Sequence, residues 1–302
     1  MTGLTQVINN GWSGLNAASQ ALETVANNTA NVNTAGYNVE SVQQGEQPGV
    51  AGAPGNGTDV LSIQRAYDRF VFSQMVSATS ANQAAQVTQN NAENLTAIFP
   101  VASGGSGGLS STLTTFFSGM NQVSQDPTSI PNRQTFLSDA NALAENFNSV
   151  GNQLASSLTS INGQLANAVT QVNTLVQEIA NLNSQIEAQT VAGGQVPNAS
   201  LDNRDNLVQQ LGQEVGITFV PGTNNTVNVF TAGGAVLVDG ATSANLVATS
   251  GTYGGNSVSI DYKPSGQDIT ANLSGGTIGG LIASRAQVVS AQNTVGALAT
   301  AL

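Results

Sequence analysis

Small or apolar residues recur at alternating steps of three and four from Leu137 to Ile186. The series is Leu137, Ala140, Ala144, Phe147, Gly151, Leu154, Leu158, Ile161, Leu165, Ala168, Val172, Leu175, Ile179, Leu182 and Ile186. A repeat of about 3.5 residues places a seam along one side of a long α-helix. No proline interrupts it, so the spacing predicts one helix from near Asn132 to Ala188, roughly 85 Å long. Such a helix outruns an ordinary globular core and needs others beside it, either in an intramolecular bundle or in a filament-type coiled coil. The intervening positions are mostly Asn, Gln, Ser and Thr, so charge pairing at the flanks of the seam is weak and the bundle is favoured.

A second series of the same period runs through Leu4, Ile8, Gly11, Leu15, Ala18, Leu22, Val25, Thr29 and Val32. It predicts an amphipathic helix whose apolar stripe needs a partner. Trp12, beside Gly11, marks either a contact surface or a core position. The helix runs into Asn27-Asn28-Thr29-Ala30-Asn31-Val32-Asn33-Thr34-Ala35-Gly36-Tyr37. Asn, Thr and Gly compete for backbone hydrogen bonds or permit positive φ, which ends a helix in a turn.

Residues 38–65 read as a linker with a short strand, centred on a Gly/Pro/Ala loop from Gly45 to Gly57. A helix opening at Arg65-Ala66-Tyr67 and running to about Phe99 comes next. The glycine run Gly104 to Gly108 ends that segment, and it lacks the Lys-Ser/Thr of a phosphate-binding loop. Leu109 to Gln125 predicts a short helix with Leu113, Phe116, Phe117, Met120 and Val123 inward. The long helix follows and breaks at Gly193 to Ala199. In the next helix Asp202 and Asp205 read as acids favoured near a positive helix terminus.

From Ile217 the period becomes two, in Ile217/Phe219, Val227/Val229, Val236/Val238 and Val258/Ile260/Tyr262. Gly233-Gly234 signals a hairpin. This predicts a small antiparallel β-domain of about four to six strands. The heptads return in Ile278, Leu281, Arg285, Val288, Gln292, Val295, Ala299 and Leu302, with two polar residues on the seam.

The expected fold is mostly α with a small β insert, an elongated coiled-coil-like bundle of long helices plus an antiparallel β-domain. The expected division is an amino-terminal helix and exit turn at 1–37, the linker at 38–65 and a bundle at 66–215. A β insert at 216–275 and a helix returning to the bundle at 276–302 complete it.

Charged residues make up only 8% of the chain, and the net charge is −11. The six basic residues, Arg65, Arg69, Arg133, Arg204, Lys263 and Arg285, are scattered in sequence, which argues against nucleic-acid binding and anionic membrane surfaces. No run of apolar residues is long enough to span a bilayer. Histidine and cysteine are absent, so thiol chemistry and histidine-based triads have no basis. A Ser–Lys dyad would need Lys263. Asp202, Asp205 and Asp239 do not form a calcium loop. Catalytic, cofactor and metal residues are expected to be none.

The exit turn resembles the amino-terminal signature of axial flagellar proteins, the rod, hook and hook-associated families. Asn28, Asn31, Asn33, Thr34, Gly36 and Tyr37 match its fixed positions, and Thr29 departs from the branched apolar residue usual there. Ser13-Gly14-Leu15-Asn16-Ala17-Ala18 is similar to the helix preceding that signature. Three further stretches resemble the hook-associated members that join hook to filament. They are Asp126-Pro127 through Leu137, Ala142 through Asn148, and Leu201 through Leu211 with Val215-Gly216-Ile217.

The resemblance implies a structural subunit that assembles by helical packing, is exported through the flagellar type III apparatus and resides in the extracellular flagellum. Implied partners are other copies of itself, hook protein, the next junction protein and an export chaperone. The assembly interface expected on this basis is Leu4, Ile8, Leu15, Leu22 and Val25 with Asn28, Asn31, Asn33, Gly36 and Tyr37. In the family the chain continues into a carboxyl-terminal helix that pairs with the amino-terminal one. No segment up to Leu302 corresponds to it, so the chain reads as a fragment or as lacking that partner. Two other readings stand beside this one. They are another axial protein, hook or distal rod, and a surface adhesin or interaction module using the β insert.

Overall fold

A computed structural model of the protein describes residues 2–48, 55–100, 108–192, 197–251 and 258–302. Helix α4 spans Ile130–Val191, 62 residues, and is about 93 Å long. Its start is set by Ser129, whose hydroxyl accepts from the Asn132 amide, and by Pro131 in the first turn, where the missing N–H costs nothing. The seam from Leu154 to Ile186 is buried except at the half-buried Leu182, with Leu154, Leu158, Leu165, Val172 and Ile179 fully enclosed.

Toward the amino end the seam departs from the expected register. Leu137 is 61% exposed, and the inward positions there are Phe136, Leu143 and Val150. A straight α-helix drifts about 20° per heptad against a 3.5-residue repeat, and this end packs on a different neighbour. That neighbour is α3 (Gly108–Gln125). Its Phe116 ring lies 5.3 Å from that of Phe136, and Gly119 sits against Phe136 and Asp139. Phe117 and Met120, expected inward, are exposed. The glycine run before α3 falls mostly outside the described residues.

Helices α2 (Arg69–Ile98), α5 (Asn198–Glu214) and α6 (Gly276–Ala301) complete the bundle. Helix α2 begins later than expected, because Asp68 caps it by accepting from the amides of Phe70 and Val71. Gly280 of α6 lies against α2: a Cβ there would come 2.7 Å from the Ala84 carbonyl oxygen and 2.8 Å from Val87 Cβ. Of the polar residues on the α6 seam, Arg285 donates to the Val258 carbonyl and so ties the helix to a strand.

The segment read as a linker holds two strands, β1 (Glu40–Glu46) and β2 (Thr58–Arg65), paired antiparallel with a register shift between Gln43 and Gln44. The loop residues 49–54 lie outside the described residues. The β insert has more strands than expected, in two sheets. One has the order β3-β4-β5-β6 (Ile217–Pro221, Val227–Thr231, Val236–Asp239, Thr242–Ser243). The other has the order β7-β8-β9 (Leu246–Ser250, Val258–Tyr262, Gln267–Asp268). All pairings are antiparallel, and Gly234 turns the β4–β5 hairpin with φ +87°.

Two asparagines of α4 hold the sheets. The Asn173 side chain exchanges two hydrogen bonds of 2.8 Å with the Leu246 backbone. Asn183, fully buried, donates to the carbonyls of Val227 and Gly240 at 2.8 Å each and accepts from the Val227 amide at 3.1 Å. The continuous core joins α2, α4, α5, α6 and both sheets of the insert, and it includes no described residue before Phe72.

Candidate assembly surface

Helix α1 (Thr2–Ala30) packs on the β1–β2 hairpin with its polar side. Its inward positions are Gln6, Asn10, Ser13, Ala17, Gln20, Ala21, Thr24 and Asn28, at helical spacing. Asn10 donates to the Gly55 carbonyl at 3.0 Å, and the Ser13 hydroxyl accepts from the Thr58 amide at 3.2 Å. Only Ala17 and Thr24 are buried.

The apolar stripe faces outward. Leu4, Ile8, Leu15, Leu22 and Val25 are 72, 62, 68, 71 and 58% exposed, and Trp12 and Val32 join them. A soluble helix ordinarily buries its apolar face. Here the arrangement is inverted, and no described residue covers the stripe. Trp12, 73% exposed, lies on this uncovered face.

The exit turn is built around Asn28. Its amide donates to the Glu40 carbonyl at 2.8 Å, and its carbonyl accepts from the Glu40 amide at 2.9 Å and from the Tyr37 hydroxyl at 2.7 Å. These bonds fold the chain back so that β1 runs beside α1. The Tyr37 pKa is raised by burial and then by the nearby charges of Glu40 and Asp202. Asn31 donates to the Asn27 carbonyl and accepts from the Thr34 hydroxyl, which tightens the last turn. Gly36 has φ +80°, a conformation that strains any residue with a Cβ, and it faces the Asn206 side chain. Asn33 is exposed in the turn. The expected site residues thus separate into an outward stripe and a turn that sets where the stripe points.

A polar joint at the start of α5 went unread in the sequence. Arg65, at the end of β2, donates from Nη1 to Asp202 at 2.8 Å and to Asp205 at 2.7 Å. All three side chains are at most 9% exposed. Asp202 also accepts from the Asn38 amide at 3.0 Å and from the Asn38 side chain at 2.7 Å. Asn198 donates to the Ile63 carbonyl at 3.0 Å. Arg204 reaches Asp205 at 3.2 Å. The Arg65 guanidinium lies 4.3 Å from the centre of the Tyr67 ring, a cation–π contact.

Asp202 and Asp205 are not in the first turn of α5 and do not serve its dipole; they receive Arg65. The Tyr67 pKa is pushed up to about 12 by burial first and then by Asp205, against the lowering effect of Arg65, Arg204 and Arg69. Among the described residues no cluster of acids has the makings of a metal site, and no helix is long and apolar enough to cross a membrane.

The chain matches two family models. One, described as the flagellar hook-associated protein FlgK helical domain, takes in residues 92–302. The other, the flagella basal body rod protein, takes in residues 8–38, which span most of α1 and its exit turn. The chain is 33% identical over 310 aligned positions to flagellar hook-associated protein 1 of Salmonella typhimurium, covering 99% of this chain and 55% of that protein. Hook-associated protein 1 of Bacillus subtilis is 28% identical, over 67% of this chain and 41% of its own length. Among solved structures, the flagellar hook junction protein FlgK of Burkholderia pseudomallei superposes with a TM-score of 0.62 at 29% identity. That superposition covers 70% of this chain and 39% of the other. The chain spans about half the length of the curated relatives it matches. With more than two thirds of its residues inside the helical-domain match, the chain belongs to the flagellar hook-associated protein FlgK family.

Proposed function

We propose that the protein is a structural subunit of the bacterial flagellum at the junction of hook and filament. In this reading it acts by packing and not by catalysis. Its assembly surface is the outward stripe of α1, Leu4, Ile8, Leu15, Leu22 and Val25. Asn28, Asn31, Asn33, Gly36 and Tyr37 fix the direction in which that stripe points. The observation that carries the reading is the inversion of α1, with its polar side packed on the hairpin and its apolar side uncovered.

Burying one such side chain is worth roughly 1.5–3 kcal/mol, so several in a row drive association strongly. Helices of like character from neighbouring copies and from hook and junction proteins are the partners such a stripe accepts. The bundle forms an outer shell around those helices, and the β insert faces away from them. The subunit leaves the cell through the flagellar type III apparatus, escorted by an export chaperone, and resides in the extracellular flagellum. Its similarity to hook-associated protein 1 and to a flagellar hook junction protein supports the same assignment.

The test is genetic. A strain lacking the gene makes hooks and sheds filament subunits into the medium, and the full-length gene restores attached filaments. A gene carrying Leu15→Asp and Leu22→Asp yields exported, helical protein that fails to restore them. Normal filaments in the deletion strain overturn the junction role. Restoration by the double variant overturns the stripe as assembly surface.

A further inference from the structure

Helix α1 and the β1–β2 hairpin form an arm that, among the described residues, shares no apolar core with the bundle, since that core includes no described residue before Phe72. The side-chain ties between arm and bundle gather on the first turns of α5. Arg65 meets Asp202 and Asp205, Asn38 meets Asp202, and Asn198 meets the Ile63 carbonyl. Gly36 rests on Asn206 in the same place. Every one of these hydrogen bonds is polar.

Such a joint differs in kind from a hydrophobic one. Opening an apolar interface exposes oily surface to water and costs in proportion to its area. Opening this one exchanges protein hydrogen bonds for water, while two desolvated carboxylates and a guanidinium regain hydration. The geometry points to a latch. Closed, the Arg65–Asp202–Asp205 cluster holds the arm at one angle to α5; open, the arm swings as a unit on residues 66–68, where the chain passes from β2 to α2. Removing one partner leaves buried charge without compensation and drives the latch open. This inference stands on the fold and does not rest on the assembly role.

The absence of cysteine in the chain makes the test direct. Spin labels are placed on Ser19→Cys in α1 and Ala166→Cys in α4, both exposed positions, in the full chain at a dilution where it is monomeric. Pulsed dipolar spectroscopy on this labelled parent gives one narrow distance distribution. Asp202→Asn, whose carboxylate meets only Arg65 and Asn38 of the arm, broadens it at least twofold or adds a second population, while far-ultraviolet helicity and the denaturation midpoint of the bundle stay unchanged. Arg65→Gln, which removes the other side of the pair, does the same. A distribution that stays narrow in both, a change confined to one of the two, or loss of bundle helicity alongside the broadening overturns the latch.

Discussion

Asn183 sits next to the long apolar seam of α4, yet its amide is fully enclosed and makes three hydrogen bonds to the backbone of the β insert. Substitution by alanine strands the Val227 amide and two carbonyls inside the protein. Asn183→Ala is expected to cost about 3 kcal/mol in chemical denaturation, at the upper end for a buried polar group left unpaired. Tyr67 gives a pH signature of the joint. Its pKa is raised from 10.0 to about 12, so the neutral phenol is favoured in the fold. The resulting stabilisation is present below pH 10 and is lost as pH rises toward 12. In an ultraviolet titration of native protein, Tyr67 ionises near that upper value, and in denatured protein it returns to the ordinary phenol value. Single residues were the least legible level of the sequence. Asp202 and Asp205 sit three apart on a helix, and nothing local distinguishes a solvated pair from one that receives an arginine 137 residues earlier. Asn28 was legible only through resemblance, because its hydrogen bonds depend on how the turn closes.

Elements were read more fully, since period reports burial directly. The 3.5-residue repeat located α4, the α1 stripe and α6, and the change to period two located the β insert. Where the reading failed, the reason is geometric. The first heptads of α4 were assigned by extending a repeat that the straight helix does not keep, which placed Leu137 inward although it is exposed. The two positions separate in measurement. Leu158→Ala, at a fully buried site, is expected to lower stability by about 2–5 kcal/mol. Leu137→Ala is expected to change it by less than about 0.5 kcal/mol, as at an ordinary surface site. The β1–β2 hairpin reads in sequence as a linker with one short strand, because its strands are mostly polar on both faces and alternation is faint. Polar inward residues are also what its partner helix offers, and α1 and the hairpin match each other in that respect.

At the scale of the whole molecule, the protein has two parts held by different physics. The bundle and β insert share one apolar core around α4. The arm is joined to them through a few buried ions and amides on α5. The sequence carried the first part in its periodicity. It carried the second only as unpaired facts, a stripe without a partner and charges without an apparent role. The scarcity of basic residues bears on proteolysis. No Lys or Arg precedes Arg65, so trypsin has no site within α1 or the hairpin loop. The earliest bond it recognises follows the side chain that Asp202 and Asp205 grip. While that grip holds, the protease must begin further on, at exposed arginines such as Arg69 and Arg133. Cleavage after Arg69 therefore yields residues 1–69 as one piece, and only where the joint is open does a further cut after Arg65 shorten it to 1–65.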